Sequence, residues 1–237
     1  RDFEINDMLS SDEIAEIAEI SRNSTIRKKI RNSLDYFFSE NYKDVLVDRE
    51  EFKQALNLLE VKGTYGEKWL IERNHVPDNK FLWDPKRRNI YLLNLSGDET
   101  KILGLQIRPI VKKNSGSKYY TYKLSGIWEK LLGCKDENFL DGCRKIDPIS
   151  SVFNIGTISF NDTITIFEGP MDSFLWKNSV GLCSVENKFP FEMDNLRFWY
   201  DWDNAGRAKA SELLAEGHLV FNWRKFLTDH GLPTNKK

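Results

Sequence analysis

The second half of the chain alternates short apolar runs with stretches of helical spacing. Thr163-Ile164-Thr165-Ile166-Phe167, Val180 to Val185, Leu196-Arg197-Phe198-Trp199-Tyr200 and Leu219 to Trp223 are β-branched or aromatic runs of strand length. Met171 to Asn178 and Asn204 to Gly217 lie between them with helical patterns, and a loop carrying Pro190 separates the second run from the third. Unbroken apolar strands alternating with helices imply βαβ units, which build a parallel sheet buried on both faces. A small, mainly parallel α/β domain is therefore expected over residues 150–237.

The first half has a different rhythm. Asn89 to Leu95 and Lys101 to Ile110 flank a turn at Ser96-Gly97-Asp98 and predict a β-hairpin. Lys112 to Ser117 is a polar loop, and Lys118 to Lys123 is extended, with lysines and tyrosines interleaved. Short helices are expected over Gly66 to Asn74, ended by His75-Val76-Pro77, and over Ile127 to Leu132. Asp48 and Glu51 resemble a capping box that starts a helix with Phe52, Leu56 and Leu59 as its apolar stripe. Upstream, Ser10 or Ser11 caps a helix bearing Ile14, Ile17 and Ile20, and Ser24 opens another with Ile26, Ile30 and Leu34. The expected organisation is a helical segment over residues 1–62, a mixed α+β subdomain with a basic groove over 63–149, and the α/β domain after it.

Composition narrows the class. Hydrophobic residues make up 40% of the 237 and charged residues 30%, with no run long enough for a transmembrane helix, so no membrane partner is expected. The polar start shows no signal peptide, and Arg1 in place of Met reads as an excised fragment. Cys134, Cys143 and Cys183 lack CxxC spacing, which argues against a disulfide scaffold or a zinc ribbon and for a reducing, cytoplasmic compartment; no zinc is expected in this chain. The net charge of -1 is uninformative, but its distribution is not. Residues 1–60 carry 14 acidic and 9 basic side chains, whereas residues 101–135 carry eight basic side chains and one acidic. A local basic stretch suits a polyanionic substrate.

The candidate chemistry sits at two strand ends. Glu168-Gly169-Pro170-Met171-Asp172 follows one apolar run, and Asp201-Trp202-Asp203-Asn204-Ala205-Gly206-Arg207 follows another. Ligands of open α/β sheets gather at the carboxyl ends of strands. If the two strands are neighbours, Glu168, Asp201 and Asp203 converge, repel one another and call for a hard divalent cation, Mg²⁺ or Mn²⁺. One acid at a strand end is ordinarily a solvated loop residue; the pair in this order is not. His75, His218 and His230 are dispersed and read as structural. Trp69, Trp83, Trp128, Trp176, Trp199 and Trp223 read as core, while Trp202 is wedged between two aspartates.

The Glu168-Gly169 and Asp201-x-Asp203 motifs resemble those of the Toprim domain found in DnaG-type primases, topoisomerases and related nucleases. Glu168 to Asp172 and Tyr200 to Arg207 look like the primase forms. Upstream, Arg88-Asn89-Ile90-Tyr91, Gly104 to Arg108, Ser117 to Thr121 and Ile127 to Gly133 are similar to the primase amino-terminal subdomain, and Gly217 to Trp223 looks like phage-encoded members. The resemblance covers residues 64–225. Pro170, Thr121 and Trp202 depart from the bacterial pattern, which often has asparagine where Thr121 stands. The resemblance implies a DNA primase catalytic core that makes short RNA primers during replication. Glu168, Asp201 and Asp203 would be catalytic and hold two or more Mg²⁺ or Mn²⁺ ions, with Asp172 as a further metal-site residue. Arg108, Lys118, Tyr119, Lys130, Asn204 and Arg207 would bind template or nucleotide. Implied partners are single-stranded DNA, ribonucleoside triphosphates and, through regions outside this chain, a replicative helicase at the fork of a bacterial or phage-infected cell. A Toprim nuclease and a non-catalytic nucleic-acid-binding module are the competing readings.

Overall fold

The computed structural model describes residues 42, 44–110 and 119–232. The helices expected before residue 40, the Lys112 to Ser117 loop and Lys118 lie outside the described residues.

The chain forms a mixed α/β structure with two sheets. Strand β1 (Val47–Asp48) leads into helix α1 (Arg49–Ala55), where the Asp48 carboxylate accepts from the Glu50 and Glu51 N–H groups. Strand β2 (Leu59–Glu60) and helix α2 (Tyr65–Ile71) follow, then β3 (Phe81–Asp84), β4 (Asn89–Leu95), β5 (Lys101–Pro109) and β6 (Tyr120–Tyr122). These strands form an antiparallel sheet in the order β1-β5-β4-β3-β2, with β6 also on β5. The predicted hairpin is present as β4–β5. Both of its strands are almost wholly buried because neighbours cover both faces: Tyr91, Leu93 and Leu95 feed one apolar cluster, Ile90 and Leu92 another.

Helix α3 (Leu124–Gly126) runs into a π-helical turn at Ile127–Leu131, then α4 (Glu137–Arg144) and α5 (Asp147–Ser150) lead to the second sheet. Its elements are β7 (Ile164–Phe167), α6 (Pro170–Ser173), β8 (Ser179–Gly181), β9 (Leu196–Trp199), α7 (Asn204–Ala215), β10 (Leu219–Val220) and α8 (Trp223–Asp229). The order is β10-β9-β7-β8, all parallel. One apolar cluster takes residues from both sheets, so the lobes share a core.

The junction is polar at its centre. Asn94, fully buried in β4, donates to Ser150 O and Val152 O at 2.9 Å each and accepts from the Asn154 N–H at 2.9 Å. Gly104 lies against the same segment, where an added Cβ would stand 2.3 Å from Ser150 O.

Several expectations need correction. Residues 47–60 supply two edge strands, so the described part of the first segment is not purely helical. Leu59, expected on the helix stripe, is exposed in β2. The helix expected over Met171 to Asn178 stops at Ser173; Asn178 turns left-handed (φ 49°), and its side chain instead satisfies Ser159 O and Thr163 O. The strand after it ends at Gly181, because Cys183 is left-handed (φ 65°). Trp176 is 47% exposed rather than core. Beyond β10, Asn222 caps α8 through the Lys225 N–H, ending the strand expected to reach Trp223.

Two predictions follow from the packing. Asn94→Leu strands three buried backbone partners and should cost about 3 kcal/mol, at about 1 kcal/mol or more per lost bond, read from urea unfolding. Glu60 takes a double hydrogen bond from the buried Arg49 (3.0 and 2.7 Å) and one from Lys53 (2.7 Å). Arg49 first, then Lys53, pulls its pKa from the ordinary 4.5 to about 2, against its own burial. The folded form holds the proton more weakly, so this contribution is complete above pH 4.5 and disappears as pH falls towards 2. Glu60 is half exposed, which screens the effect. Urea midpoints measured from about pH 5 down to about pH 3 should fall less steeply in Glu60→Gln than in the wild type.

Candidate active site

Strands β7 and β9 are hydrogen-bonded neighbours in parallel register, with Phe167 opposite Trp199. Glu168 and Asp201 therefore leave the sheet side by side at its carboxyl edge. They open into a cleft of about 390 Å³ also lined by Gly169, Pro170 and Asp172. Small residues permit this arrangement. A Cβ at Gly206 would lie 2.2 Å from Asp201 O, and one at Gly181 would lie 2.6 Å from Pro170 Cα. Pro170 begins α6, where its missing N–H leaves no bond unmade.

The acids destabilise one another's charge. Glu168 accepts the Asp201 N–H, yet its pKa is raised, first by burial and then by Asp201 and Asp203. Its Oε2 is buried with no hydrogen-bond partner. Asp172 is raised by burial and by Asp201, against the pull of Arg108. Asp201 is raised by burial and by Asp203, again opposed by Arg108.

Asp203 has a second task besides its charge on Glu168 and Asp201. It is the N-cap of α7, and its carboxylate accepts the Gly206 N–H at 2.8 Å. Among the described residues, no three His, Cys, Asp or Glu side chains stand close enough to hold one ion. The donor set still suits a hard cation: carboxylate oxygens, raised pKa values and an orphaned buried acceptor on Glu168.

The facing wall is cationic and aromatic. Arg73, His75, Gln106, Arg108, Tyr119 and Cys183 line it. Arg108 stands over the Tyr119 ring with 5.2 Å to the centroid. Burial pushes His75 down, helped by Arg108 and Arg73, which favours the neutral imidazole. Arg73 rests on Trp69, 4.0 Å from the ring centroid. Sequence reasoning anticipated Arg108 and Tyr119 here but not Arg73, His75 or Gln106. The left-handed Asn74 (φ 62°) between Arg73 and His75 marks a sharp change of direction.

Lys130, Asn204 and Arg207 do not line this cleft. Lys130 is exposed on the π-helical turn. Arg207 donates to Asn204 Oδ1 at 2.5 Å and covers the Trp202 ring at 5.2 Å, giving that tryptophan a place beside α7.

The sequence matches no family model and no curated protein. Solved structures similar to it include two of primase domains. The zinc-binding and RNA polymerase domains of the Aquifex aeolicus primase align over 95% of this chain at 16% identity and a TM-score of 0.35. This chain spans 60% of that one. The RNA polymerase domain of Mycobacterium tuberculosis primase DnaG aligns over 84% of this chain and 70% of its own, at 12% identity and a TM-score of 0.36.

A cation seated at Glu168 and Asp201 would stabilise the folded state by mass action, about 2.7 kcal/mol at a hundredfold excess over its Kd. Mn²⁺ should thus raise the melting temperature by about 5 to 10 °C. Asp201→Asn should abolish most of that rise. Asp203→Asn, which retains a good N-cap residue, should lose only part of it. An undiminished rise in Asp201→Asn would place the ion elsewhere.

Proposed function

We propose that this chain is the catalytic core of a DNA primase, with a Toprim-type arrangement of Glu168 and Asp201, joining ribonucleotides into short primers on single-stranded DNA. The carrying observation is that Glu168 and Asp201 emerge from adjacent strands and face a cleft wall bearing Arg73, Arg108 and Tyr119. Acids on one side and cations with a ring on the other suit a nucleotide whose phosphates bridge them.

Primer extension forms a bond from the 3′-hydroxyl oxygen to the α-phosphorus and breaks the bond to pyrophosphate. Arg108 and Arg73 bind phosphate oxygens and neutralise charge that grows on them. Tyr119 offers a ring face to a base. Glu168 Oε2, buried and unpartnered, is suited to take the hydroxyl proton, since its raised pKa makes it a better base than a solvated carboxylate. Asp203 orders the Asp201 loop by capping α7. Glu168 and Asp201 would hold Mg²⁺ or Mn²⁺, with the Asp172 charge supporting the site; the ion when bound supplies Lewis-acid stabilisation of the attacking and leaving oxygens.

The test incubates the protein with single-stranded DNA, ribonucleoside triphosphates and Mg²⁺ or Mn²⁺. Short RNA products are expected, reduced about a hundred- to thousandfold in Glu168→Gln and Asp201→Asn. Shortened DNA without nucleotide incorporation would assign the same carboxylates to a nuclease.

A further inference from the structure

Gln106 is completely buried in β5, where an apolar side chain of its size would be the cheaper occupant. Its amide is used at both ends. The Arg108 Nε–H donates to Gln106 Oε1 at 2.7 Å, and Gln106 Nε2 donates to Thr121 Oγ1 at 3.1 Å. Chemistry dictates these directions. A guanidinium only donates, so the amide oxygen must face Arg108 and the amide nitrogen must face Thr121. Having accepted that bond, the Thr121 hydroxyl has its own proton to give, and the Cys183 side chain lies close to it. Burial pushes the Cys183 thiol up to about 12, so it stays protonated.

The bonded residues share one sheet, with Cys183 of the other beside them. Gln106 and Arg108 belong to β5 and Thr121 to β6 of the antiparallel sheet, while Cys183 follows β8 of the parallel one. Cys183 has a left-handed backbone (φ 65°), an uncommon state for a residue with a Cβ. Among the described residues Arg108 has no ion pair, although Asp172 and Asp201 lie within electrostatic reach.

We propose that Gln106 is a positioning residue: backed by Thr121, it grips Arg108 by the Nε edge, so that the two outer nitrogens of the guanidinium present themselves to a phosphate in the cleft. The purpose of this grip rests on the phosphate role given to Arg108 above; the grip itself does not. It also supplies what Thr121 alone cannot, since a threonine side chain has no amide to hold the guanidinium in plane.

Two measurements separate these points. The arginine Nε–H signals in a ¹H–¹⁵N spectrum report the grip without any ligand. The signal lost in Arg108→Lys identifies Arg108, and in the wild type it should be shifted and slow to exchange with water. Gln106→Met, of similar volume, should return it to the solvated arginine position. Thr121→Val, at an exposed site, should move it part of the way, and Thr121→Ser should restore it. An unchanged signal in both Gln106→Met and Thr121→Val overturns the proposal, and the threonine pair decides it if Gln106→Met fails to fold.

Binding of tripolyphosphate without divalent cations then tests the purpose. Gln106→Met should weaken it about tenfold. Adding Gln106→Met to Arg108→Met should cost nothing further, because the two act as one unit. Fully additive losses would make Gln106 an independent contributor and overturn the positioning role. A moved Nε–H signal with tripolyphosphate binding untouched by Arg108→Met would uphold the grip and overturn the phosphate reading.

Discussion

The relative position of the two sheets depends on one buried seam, the segment from Ser150 to Gly156. On one side it is bonded to Asn94 of the central hairpin and pressed against Gly104 so closely that only a hydrogen fits. On the other, Phe153 pairs with Gly181 through reciprocal backbone bonds of 2.9 and 3.2 Å. A short stretch of irregular backbone thus carries hydrogen bonds into both sheets. Buried backbone groups must be paired, so neither lobe can slide without leaving several of them unmet. The cleft is a consequence: its cationic wall comes from the hairpin side and its acidic wall from β7 and β9, and the seam sets the gap between them.

That dependence explains what could be read from the sequence. The hairpin and the β7–Glu168 and β9–Asp201 transitions were legible because each is local. An unbroken apolar run fixes a buried strand, and a polar residue at its end fixes the edge. The adjacency of β7 and β9 was a conditional inference, and the register Phe167 to Trp199 meets the condition. The two-residue strands β1 and β2 were illegible, since they owe their extended state to partners distant in sequence rather than to a pattern of their own. Arg73 and His75 were illegible for the same reason. They reach the cleft only because α2 and the Asn74 turn pack beside the hairpin.

Asp203 is more instructive, because it carries two signals at once. An aspartate immediately before a helical run, three residues ahead of a glycine N–H, is an N-cap signature. Its place at the head of α7 specifies a capping bond alongside any role toward a cation. Its charge still reaches Glu168 and Asp201, so the capping bond holds it near enough to raise their proton affinity without closing a cage around an ion.

The remaining question is why the cations of one wall do not collapse onto the acids of the other. An Arg108–Asp172 ion pair would relieve both, since burial disfavours each charge. It would also blunt the site, because a phosphate or a cation entering the cleft would first have to break a partly desolvated pair. The Gln106 amide resolves the conflict by giving Arg108 a neutral acceptor. The guanidinium keeps one strong bond and its full charge, and the carboxylates keep their unmet demand for a cation. The cleft is thereby left with separated groups of opposite charge, a condition that the proposed nucleotide and divalent ion would relieve on both walls together.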